Sequence, residues 1–514
     1  MSGSDFDAIV IGSGLGGLVA GGLAARSGRR VLVLEKNPTC GGAAGVYRVG
    51  ELTIESSLHE IDGLDRNDPK LPIMERLDVP AAVRFVEVGD LWEVRGPMLG
   101  EPFVMPAGLE AGREATAQRF PRHRAAVNQY FDRLAELRNA LALAVQHQRD
   151  SRWMLRKGLR TLWPFVRQQR LSLARVLEGL FGSDEAVKQA LCANLIYYAD
   201  DPERMWFPHW AVAQGSYHSG GGHYPYGGSK ELADHLVRLI EARGGQVETG
   251  RRVTRILLDG GQVAGVEHEA ANGDGNHDVS IERAPLVFGN AAPHALAEML
   301  PSEIRPRFMA PFAKRPLSVS LWTISLGFAR KPRELGVERY STAVFPGPLR
   351  ELAGSATLPT GLSNGRSPHY IFVDYSSVDT GLAQSPPYLG TLVGLDRTEN
   401  WEGLSASESD ERRERFMDTM VAALEREYPR LAGEIVQRQL TTARGAANYL
   451  GTPTGAIYGF YPERRRQVVD ARTRVPGLWL ASAFVGLGGY SGAMIGGGWA
   501  AKAALEESWR DWAS

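Results

Sequence analysis

Residues 7–25 read DAIVIGSGLGGLVAGGLAA, and this stretch decides the fold. Its apolar start predicts a short buried strand over residues 7–11, and the apolar run over residues 15–25 predicts a helix. A second apolar run predicts another strand over residues 31–34. The stretch therefore predicts a strand, helix, strand unit, which is the repeating element of a doubly wound α/β fold.

Glycines with the spacing G-x-G-x-x-G join the predicted strand to the predicted helix, at Gly12, Gly14 and Gly17. The first permits a tight turn, the second lets the backbone approach a pyrophosphate, and the third lets the helix pack on the strand. The helix N-terminus, at Leu15 and Gly16, attracts the negative phosphates. In this context the motif predicts a dinucleotide site.

An acidic residue closes the second predicted strand. Glu35 follows Gly17 by 18 residues and is placed to accept hydrogen bonds from ribose hydroxyls, where an acid disfavours a 2′-phosphate. Gly41 and Gly42 come next and resemble the second glycine doublet of FAD enzymes. Their amides and sharp turn would lie along the flavin pyrophosphate, and simple NAD dehydrogenases usually lack such a doublet. These residues favour FAD over NAD.

Length and composition bound the class of protein. The chain has 514 residues, whereas one domain has roughly 100 to 200, so we expect two lobes. Its 58 basic and 59 acidic residues nearly cancel, so no global field attracts nucleic acid. Two cysteines, Cys40 and Cys192, allow neither a disulfide framework nor a cysteine-rich metal site. We expect no metal, no nucleic-acid partner and a cytoplasmic setting.

Further elements follow from hydrophobic periodicity. Apolar residues at spacings of three and four predict a helix face over residues 127–145, and a helix begins near Lys230 with Ser229 as its N-cap. A glycine-dependent turn at residues 259–261 predicts a hairpin. Later segments predict a second sheet and one more helix, with strands at residues 317–328, 370–375 and 389–395 and the helix at 411–428.

Motifs in the middle and at the end of the chain carry a family resemblance. Residues 222–229 read GHYPYGGS before the helix, and three later segments read AIYG at 456–459, VPGLWLAS at 475–482 and GGYSGAM at 488–494. Together with the N-terminal motif, they resemble the phytoene desaturase, carotenoid isomerase and retinol saturase family. Two positions depart from that family: Ala43-Ala44 replaces its arginine, and Ser482-Ala483 replaces Gly-Asp.

The resemblance implies an α/β fold in which a Rossmann-like FAD-binding domain of the two-dinucleotide kind carries an inserted α+β substrate domain. The FAD-binding domain would comprise residues 1–75, 215–300 and 460–514, and the substrate domain residues 76–214 and 301–459. The residue around 253 would lie against the adenine, and the C-terminal helix would point at the flavin. The predicted cofactor-binding residues are Gly12, Gly14, Leu15, Gly16, Gly17, Glu35, Lys36, Gly41, Gly42, Ala43, Ser57, Val253, Ser482, Gly489, Gly492 and Met494.

His59 is the candidate catalytic residue. It ends the run Glu55-Ser56-Ser57-Leu58-His59, where relatives similar to retinol saturase carry Asp-x-Gly-x-His. An imidazole there would steer a proton while the flavin takes or gives hydride. The nearby acids Glu55, Glu60 and Asp62 receive no assigned role, because acids near a glycine turn most often bind backbone amides or face water.

A basic segment with interleaved apolar residues covers residues 151–177. It contains no acid, and its basic residues are Arg152, Arg156, Lys157, Arg160, Arg167, Arg170 and Arg175. Such an amphipathic surface suits anionic lipid headgroups, and Pro164 predicts a break in its helix. The alternative is a solvated basic face on an ordinary helix, and the pattern alone does not choose between the two.

The resemblance implies an FAD-dependent oxidoreductase that acts on carbon-carbon double bonds of a long apolar isoprenoid or polyene. Desaturation, saturation and cis-trans isomerisation all remain open, as does the electron acceptor. Two alternatives stay beside this function. One is a flavin-free binding protein of the same fold, similar to the Rab GDP-dissociation inhibitors, and the other is a flavin amine oxidase, which needs an aromatic cage.

Overall fold

A five-stranded parallel sheet forms the first layer of the protein. The computed structural model describes residues 5–147, 151–271, 279–357, 367–463, 469–486 and 488–505. In spatial order the strands of the sheet are Gln246–Glu248, Val31–Leu34, Ala8–Ile11, Val287–Gly289 and Leu478–Leu480. The helix Leu15–Arg26 connects the two N-terminal strands, which confirms the predicted strand, helix, strand unit. All four residues of each of these two strands are buried.

A three-stranded antiparallel sheet contains the predicted hairpin. Its strands are Arg251–Asp259, Gln262–Ala270 and Ser280–Arg283. The hairpin turn has two residues, Gly260 and Gly261, with φ of +56° and +82°. Both values lie in the left-handed region that a type I′ turn requires and that glycine adopts without strain.

The second large sheet has seven strands and carries the predicted later segments. In spatial order they are Ile435–Thr441, Ser320–Phe328, Tyr388–Asp396, Tyr370–Asp374, Ser341–Val344, Trp92–Arg95 and Phe103–Met105. The helix Ala406–Glu427 covers it through a separate apolar cluster built around Trp322 and Phe416. This helix begins five residues before the predicted start, because Ser405 and Glu408 form a capping box.

The remaining strands are short and form two small sheets, one of two strands and one of three. They are Val46–Val49, Leu52–Glu55, Ile61–Asp62, Phe85–Glu87 and Gly222–Pro225. The other helices lie around the sheets and in a helical lobe: Leu71–Arg76, Val79–Ala82, Leu109–Arg119, Arg124–Gln146, Ser151–Trp153, the π-helix Met154–Gly158, Leu159–Gln168, Leu173–Phe181, Glu185–Leu191, Phe207–Gly220, Lys230–Ala242, Pro293–Met299, Arg305–Met309, Leu352–Ser355, Ala443–Leu450 and Gly489–Ala504.

One local prediction is confirmed in position only, and another was wrong. Ser229 is the N-cap residue of the helix Lys230–Ala242, as predicted, but its hydroxyl makes no capping hydrogen bond because it donates to Glu55 at 2.6 Å. Pro164 does not break its helix: Leu159–Gln168 runs through the proline, and the irregular π-helical turn lies just before that helix begins. Pro164 is buried, so packing holds the helix together despite the missing backbone donor.

The predicted domain limits remain a prediction. All five strands of the parallel sheet come from the three segments assigned to the FAD-binding domain, and the seven-stranded sheet comes from the segments assigned to the substrate domain. Two of the limits fall within helices, since residue 75 lies in Leu71–Arg76 and residue 215 lies in Phe207–Gly220. Residues 464–468, 487 and 506–514 of the last segment lie outside the described part of the chain.

Candidate functional site

A cavity of about 1390 Å³ runs from the carboxyl ends of the parallel strands into the helical lobe. Most of the predicted site residues line it: Gly12, Gly14, Leu15, Gly16, Glu35, Lys36, Gly41, Gly42, Ala43, Ser57, His59, Val253, Ser482 and Gly489. In open α/β sheets, ligands bind in the crevice outside the carboxyl ends of the strands. The cavity therefore lies where the fold places a dinucleotide.

Asn290 braces the first glycine loop. It follows the strand Val287–Gly289, lines the cavity and donates through Nδ2 to the Gly12 carbonyl at 3.3 Å. A Cβ added at Gly14 would lie 2.5 Å from the same Nδ2 atom. Sequence reasoning missed Asn290, although a polar residue at the carboxyl end of a parallel strand is a signal that could have found it.

Glu35 is buried at the edge of the cavity and already holds the glycine loop. Its Oε2 accepts the Ser13 N–H at 2.8 Å and the Ser13 hydroxyl at 2.7 Å, and its Oε1 accepts the Asn37 N–H at 2.8 Å. A carboxylate has about four lone-pair positions, so a ribose hydroxyl can still donate to it. Lys36, Arg251 and Arg252 also line the cavity and provide positive charge there.

The second glycine doublet packs directly on the first glycine loop. Gly41 N–H donates to the Ser13 carbonyl at 3.0 Å, and Gly41 and Gly42 have φ of +114° and +59°. A Cβ at Gly42 would lie 3.2 Å from the Gly14 Cα. Any larger residue at Gly42 would be strained and would push the two loops apart, so the doublet shapes one wall of the cavity.

The C-terminal helix closes the opposite wall. Gly489–Ala504 begins at the cavity without a side-chain cap, and Tyr490 in its first turn donates to the Ala43 carbonyl at 2.9 Å. Ser57 lies 3.0 Å from the Tyr490 hydroxyl. Tyr490 was quoted in the sequence motif but not predicted as a site residue. Its contacts tie the end of the chain to the segment that follows the glycine doublet.

Three predicted site residues do not line the cavity. Gly17 lies behind the loop, where a Cβ would meet the Gly12 carbonyl oxygen at 2.4 Å, so it serves helix packing. Gly492 and Met494 lie on the inner face of the C-terminal helix, and Met494 is buried in the core. The cavity face of that helix is formed instead by Gly489, Tyr490, Ser491, Ala493 and Ile495.

These features fit a dinucleotide. The helix Leu15–Arg26 starts at Gly14 with no side-chain cap, so its first N–H groups are available to an anion. Ser482 also lines the cavity, and its Oγ is buried without a hydrogen-bond partner in the part of the chain that the structure describes. A buried hydroxyl left unpaired costs about 1 to 3 kcal/mol, which a bound ligand would recover.

The other end of the cavity is an apolar chamber between two helices of the lobe. Leu141 and Val145 of the helix Arg124–Gln146 line one side of it, and Val212 and Ala213 of the helix Phe207–Gly220 line the other. Leu141 and Val145 continue the predicted apolar face of their helix but are only half-buried, because they face the chamber. An apolar helix face that borders a cavity suits an apolar ligand.

His59 lies in the chamber wall beside three tyrosines. Its Nδ1 lies 2.5 Å from the Tyr197 hydroxyl, its carbonyl accepts from Tyr340, and its ring meets Tyr375 edge-on. Burial lowers the pKa of His59 to about 4, so the imidazole is neutral at neutral pH. The proton-steering role of His59 stays a prediction.

Two acids near His59 have different surroundings. Glu55 lies outside the cavity lining. Its carboxylate accepts hydrogen bonds from the Tyr224 hydroxyl at 2.7 Å and from the N–H and hydroxyl of Ser229 at 2.8 and 2.6 Å. Two backbone N–H groups donate to it from a greater distance. Glu55 is therefore a structural acid, whereas Glu60 belongs to the cavity lining and has one bonded oxygen and one without a partner among the described residues.

Replacing Glu55 by alanine should destabilise the protein by on the order of 3 kcal/mol, because the Tyr224 hydroxyl and both Ser229 donors would be left buried and unpaired. The midpoint of urea unfolding should fall accordingly. The exposed Glu51→Ala variant is the control and should change little. A Glu55→Ala midpoint equal to that of the control would contradict the structural role.

The described residues contain neither a cluster of metal-binding side chains nor a membrane-spanning helix. Within residues 5–147, 151–271, 279–357, 367–463, 469–486 and 488–505, no three histidine, cysteine or acidic side chains are grouped to hold a metal ion. None of the helices in those same ranges combines the length and the hydropathy that crossing a bilayer requires. The uncharged, glycine-rich residues that follow Pro476 contain the strand Leu478–Leu480 of the parallel sheet and most of the C-terminal helix.

Comparisons with known proteins support the fold and the resemblance. The chain is 26% identical to the all-trans-retinol 13,14-reductase of Homo sapiens, over 95% of this chain and 84% of that protein. It is 24% identical to prolycopene isomerase 1 of an Oncidium hybrid cultivar, over 90% and 76% of the two chains. A solved structure of an oxidoreductase from Methanosarcina mazei has a TM-score of 0.62 at 18% identity, covering 98% of this chain and 100% of that one. The predicted fold class and resemblance are confirmed.

The family profile described as flavin containing amine oxidoreductase matches residues 15–505. This match begins just after Gly14 and takes in Gly17, the second glycine doublet, the chamber and the whole C-terminal helix. The chain therefore belongs to the flavin-containing amine oxidoreductase family.

Proposed function

We propose that this protein is an FAD-dependent oxidoreductase that acts on carbon-carbon double bonds of a long apolar polyene or isoprenoid. The observation that carries the proposal is the continuity of one cavity, which joins the glycine loops to an apolar chamber. A flavin bound at the loops would place its reactive ring toward that chamber. Relatives named as a retinol reductase and a prolycopene isomerase support the substrate class.

FAD is the proposed cofactor because the residues at the loops match both halves of the molecule. Glu35 would accept from the adenosine ribose, the helix N-terminus at Leu15 and Gly16 would bind the pyrophosphate, and Val253 would lie against the adenine. Ser482 and the N-terminus of the C-terminal helix would contact the flavin half. A bound flavin supplies hydride transfer, and the protein supplies orientation and exclusion of water.

Purified protein should show the two visible absorption bands of oxidised flavin, either as isolated or after incubation with FAD. The expected stoichiometry is one flavin per chain, because the glycine loops form one site. Absorbance after gel filtration measures it, and incubation with NAD serves as the control. Protein that stays colourless in excess FAD would overturn the proposed function and favour a flavin-free binding protein.

The substrate class has its own test. Holoprotein with reduced flavin is mixed anaerobically with all-trans-retinol, and the oxidised form is mixed with the corresponding saturated product. Oxidation or bleaching of the flavin, together with a change in polyene absorbance, would support the proposal and choose its direction. A response to primary amines and none to polyenes would instead favour the amine oxidase alternative.

We propose in addition that the protein contacts anionic membranes through the exposed part of the basic segment. Leu155, Leu159 and Trp163 are 86%, 74% and 54% exposed, among exposed Arg156, Lys157 and neighbouring basic residues. The surface is shorter than predicted from the sequence, because the helix Leu173–Phe181 buries its apolar face in the core. The side chains of Ser151 and Met154 lie outside the described part of the chain.

The exposed segment lies next to the helix that lines the chamber. His147, at the end of the helix Arg124–Gln146, stacks on Trp153 with ring centroids 4.4 Å apart, and Glu136 of the same helix pairs with Arg167. His147 also belongs to the cavity lining. A membrane bound at this segment would therefore lie close to the apolar chamber, which suits a substrate that dissolves in lipid.

A further inference from the structure

Glu60 is held by a partner that accommodates both of its protonation states. The Tyr217 hydroxyl lies 2.6 Å from Glu60 Oε1 and 3.2 Å from the Leu91 carbonyl oxygen. When Glu60 is ionised, Tyr217 donates to it. When Oε1 carries a proton, Glu60 donates to Tyr217, and the tyrosine proton turns to the Leu91 carbonyl. Neither state leaves this contact unpaired.

The second carboxylate oxygen of Glu60 is not held by any donor among the described residues. This oxygen, Oε2, is buried, although the residue lines the chamber. Glu55, five residues earlier, has donors on both oxygens and is fixed as an acceptor. The same residue type is therefore hydrogen-bonded on both oxygens at one position and on only one oxygen at the other.

The charges around Glu60 keep a proton available near neutral pH. Burial and the negative charge of Asp62 raise the pKa of Glu60 to about 7, while the hydrogen bond from Tyr217 opposes that rise. The other titratable groups that interact with it are neutral tyrosines at neutral pH: Tyr197, Tyr198, Tyr340, Tyr375 and Tyr458. A general acid or base works best when its pKa is near the working pH.

His59 is less suited to that task. Its Nδ1 is engaged by Tyr197, and burial lowers its pKa to about 4. At pH 7 only about one molecule in a thousand would therefore carry the imidazolium proton. The imidazole is better placed to orient Tyr197 in the chamber wall than to deliver a proton.

We infer that Glu60, rather than His59, is the chamber residue that gives or takes the proton of the reaction; this inference rests on the proposed function. Saturation of a double bond adds one hydride, which a reduced flavin supplies, and one proton. The proton comes from the Glu60 carboxyl: its O–H bond breaks and a C–H bond forms on the neighbouring carbon. In desaturation two C–H bonds on neighbouring carbons break and a carbon-carbon double bond forms: Glu60 would take the proton from one carbon, and a bound oxidised flavin would supply the acceptor for the hydride from the other.

The first test uses holoprotein and needs no substrate. Infrared difference spectra recorded from about pH 5 to about pH 9 should contain a carboxyl band that titrates close to pH 7. The band should be lost in Glu60→Gln and kept in His59→Gln. Asp62→Asn should lower the pKa of that band by removing a like charge, and Tyr217→Phe should raise it by removing the donor to the ionised form.

The second test measures the reaction with the probe all-trans-retinol and reduced holoprotein. Glu60→Gln should oxidise its flavin at least about 100-fold more slowly, with the pH inflection near neutrality removed, because general acid-base catalysis contributes about 10² to 10⁴. Flavin content in the same samples separates the two proposals. Colourless wild-type protein would defeat the proposed function.

Two results would overturn the inference about Glu60 alone. The first is a carboxyl band titrating near pH 7 that survives in flavin-loaded Glu60→Gln; the carboxyl of Asp374, whose pKa burial raises to about 6, should keep its own band in both wild type and variant. The second is a wild-type rate and pH profile in that variant. If wild-type holoprotein does not react with retinol, the infrared titration still decides whether Glu60 exchanges a proton in the chamber.

Discussion

Gly14→Val protein should fold and bind FAD at least about 100-fold more weakly than wild type, an increase in binding free energy of about 2.7 kcal/mol. Gly14 has φ of −63° and ψ of 163°, which any residue can adopt, so the substitution strains the backbone little. Its Cβ, however, would lie 2.5 Å from Asn290 Nδ2. The valine must displace that side chain, break its hydrogen bond to Gly12 and fill the cavity.

Flavin absorbance after gel filtration measures the effect, and a titration with FAD gives the affinity. Gly179→Val is the matched control, because Gly179 lies on the exposed face of its helix, where a Cβ would meet nothing within 4 Å. The double variant Gly14→Val with Asn290→Ala tells how the valine acts. Restored binding would mean that the displaced Asn290 blocks the site, and continued loss would mean that the valine occupies cofactor space. Full flavin content in Gly14→Val itself would refute the placement.

The N-terminal part of this site could be predicted from the sequence because its determinants are local. The strand, the glycines and the helix follow one another within residues 7–25, and each depends on its immediate neighbours. Asn290 could not be found in that way. It reaches Gly12 because the strand Val287–Gly289 pairs in parallel with Ala8–Ile11, a contact between segments that are far apart in the chain.

Glu55, at the end of the strand Leu52–Glu55, and Glu60, five residues later, illustrate the same limit. Both are glutamates near the same glycine-containing segment, and no role could be assigned to either from the sequence. Their chemistry differs because Glu55 meets the donors of Tyr224 and Ser229, whereas Glu60 meets a single tyrosine hydroxyl that has an alternative acceptor. The prediction of a helix break at Pro164 was wrong for a related reason. It rested on a local rule, whereas tertiary packing around the buried proline keeps the helix continuous.

Reversing the charge of Arg156, Lys157 and Arg160 to glutamate should weaken binding to anionic vesicles at least about 100-fold at low salt. Each basic residue near such a surface contributes about 1 kcal/mol, and the introduced acids are repelled in addition. All three side chains are exposed, and none forms an ion pair with any residue in the described ranges, so the fold should be unaffected. Co-sedimentation with vesicles of phosphatidylserine and phosphatidylcholine measures the binding.

The control makes the same change of charge elsewhere, with Arg29, Arg238 and Arg243 replaced by glutamate on exposed surface. It should bind as wild type does, which separates a local surface from net charge. Salt should weaken wild-type binding, because screening acts over about 8 to 10 Å. A salt-resistant fraction should remain and should be lost in Leu155→Ser with Leu159→Ser, because these side chains are 86% and 74% exposed and would enter the bilayer. Equal binding by both charge variants would mean that the segment is an ordinary solvated face, and that substrate reaches the chamber by another route.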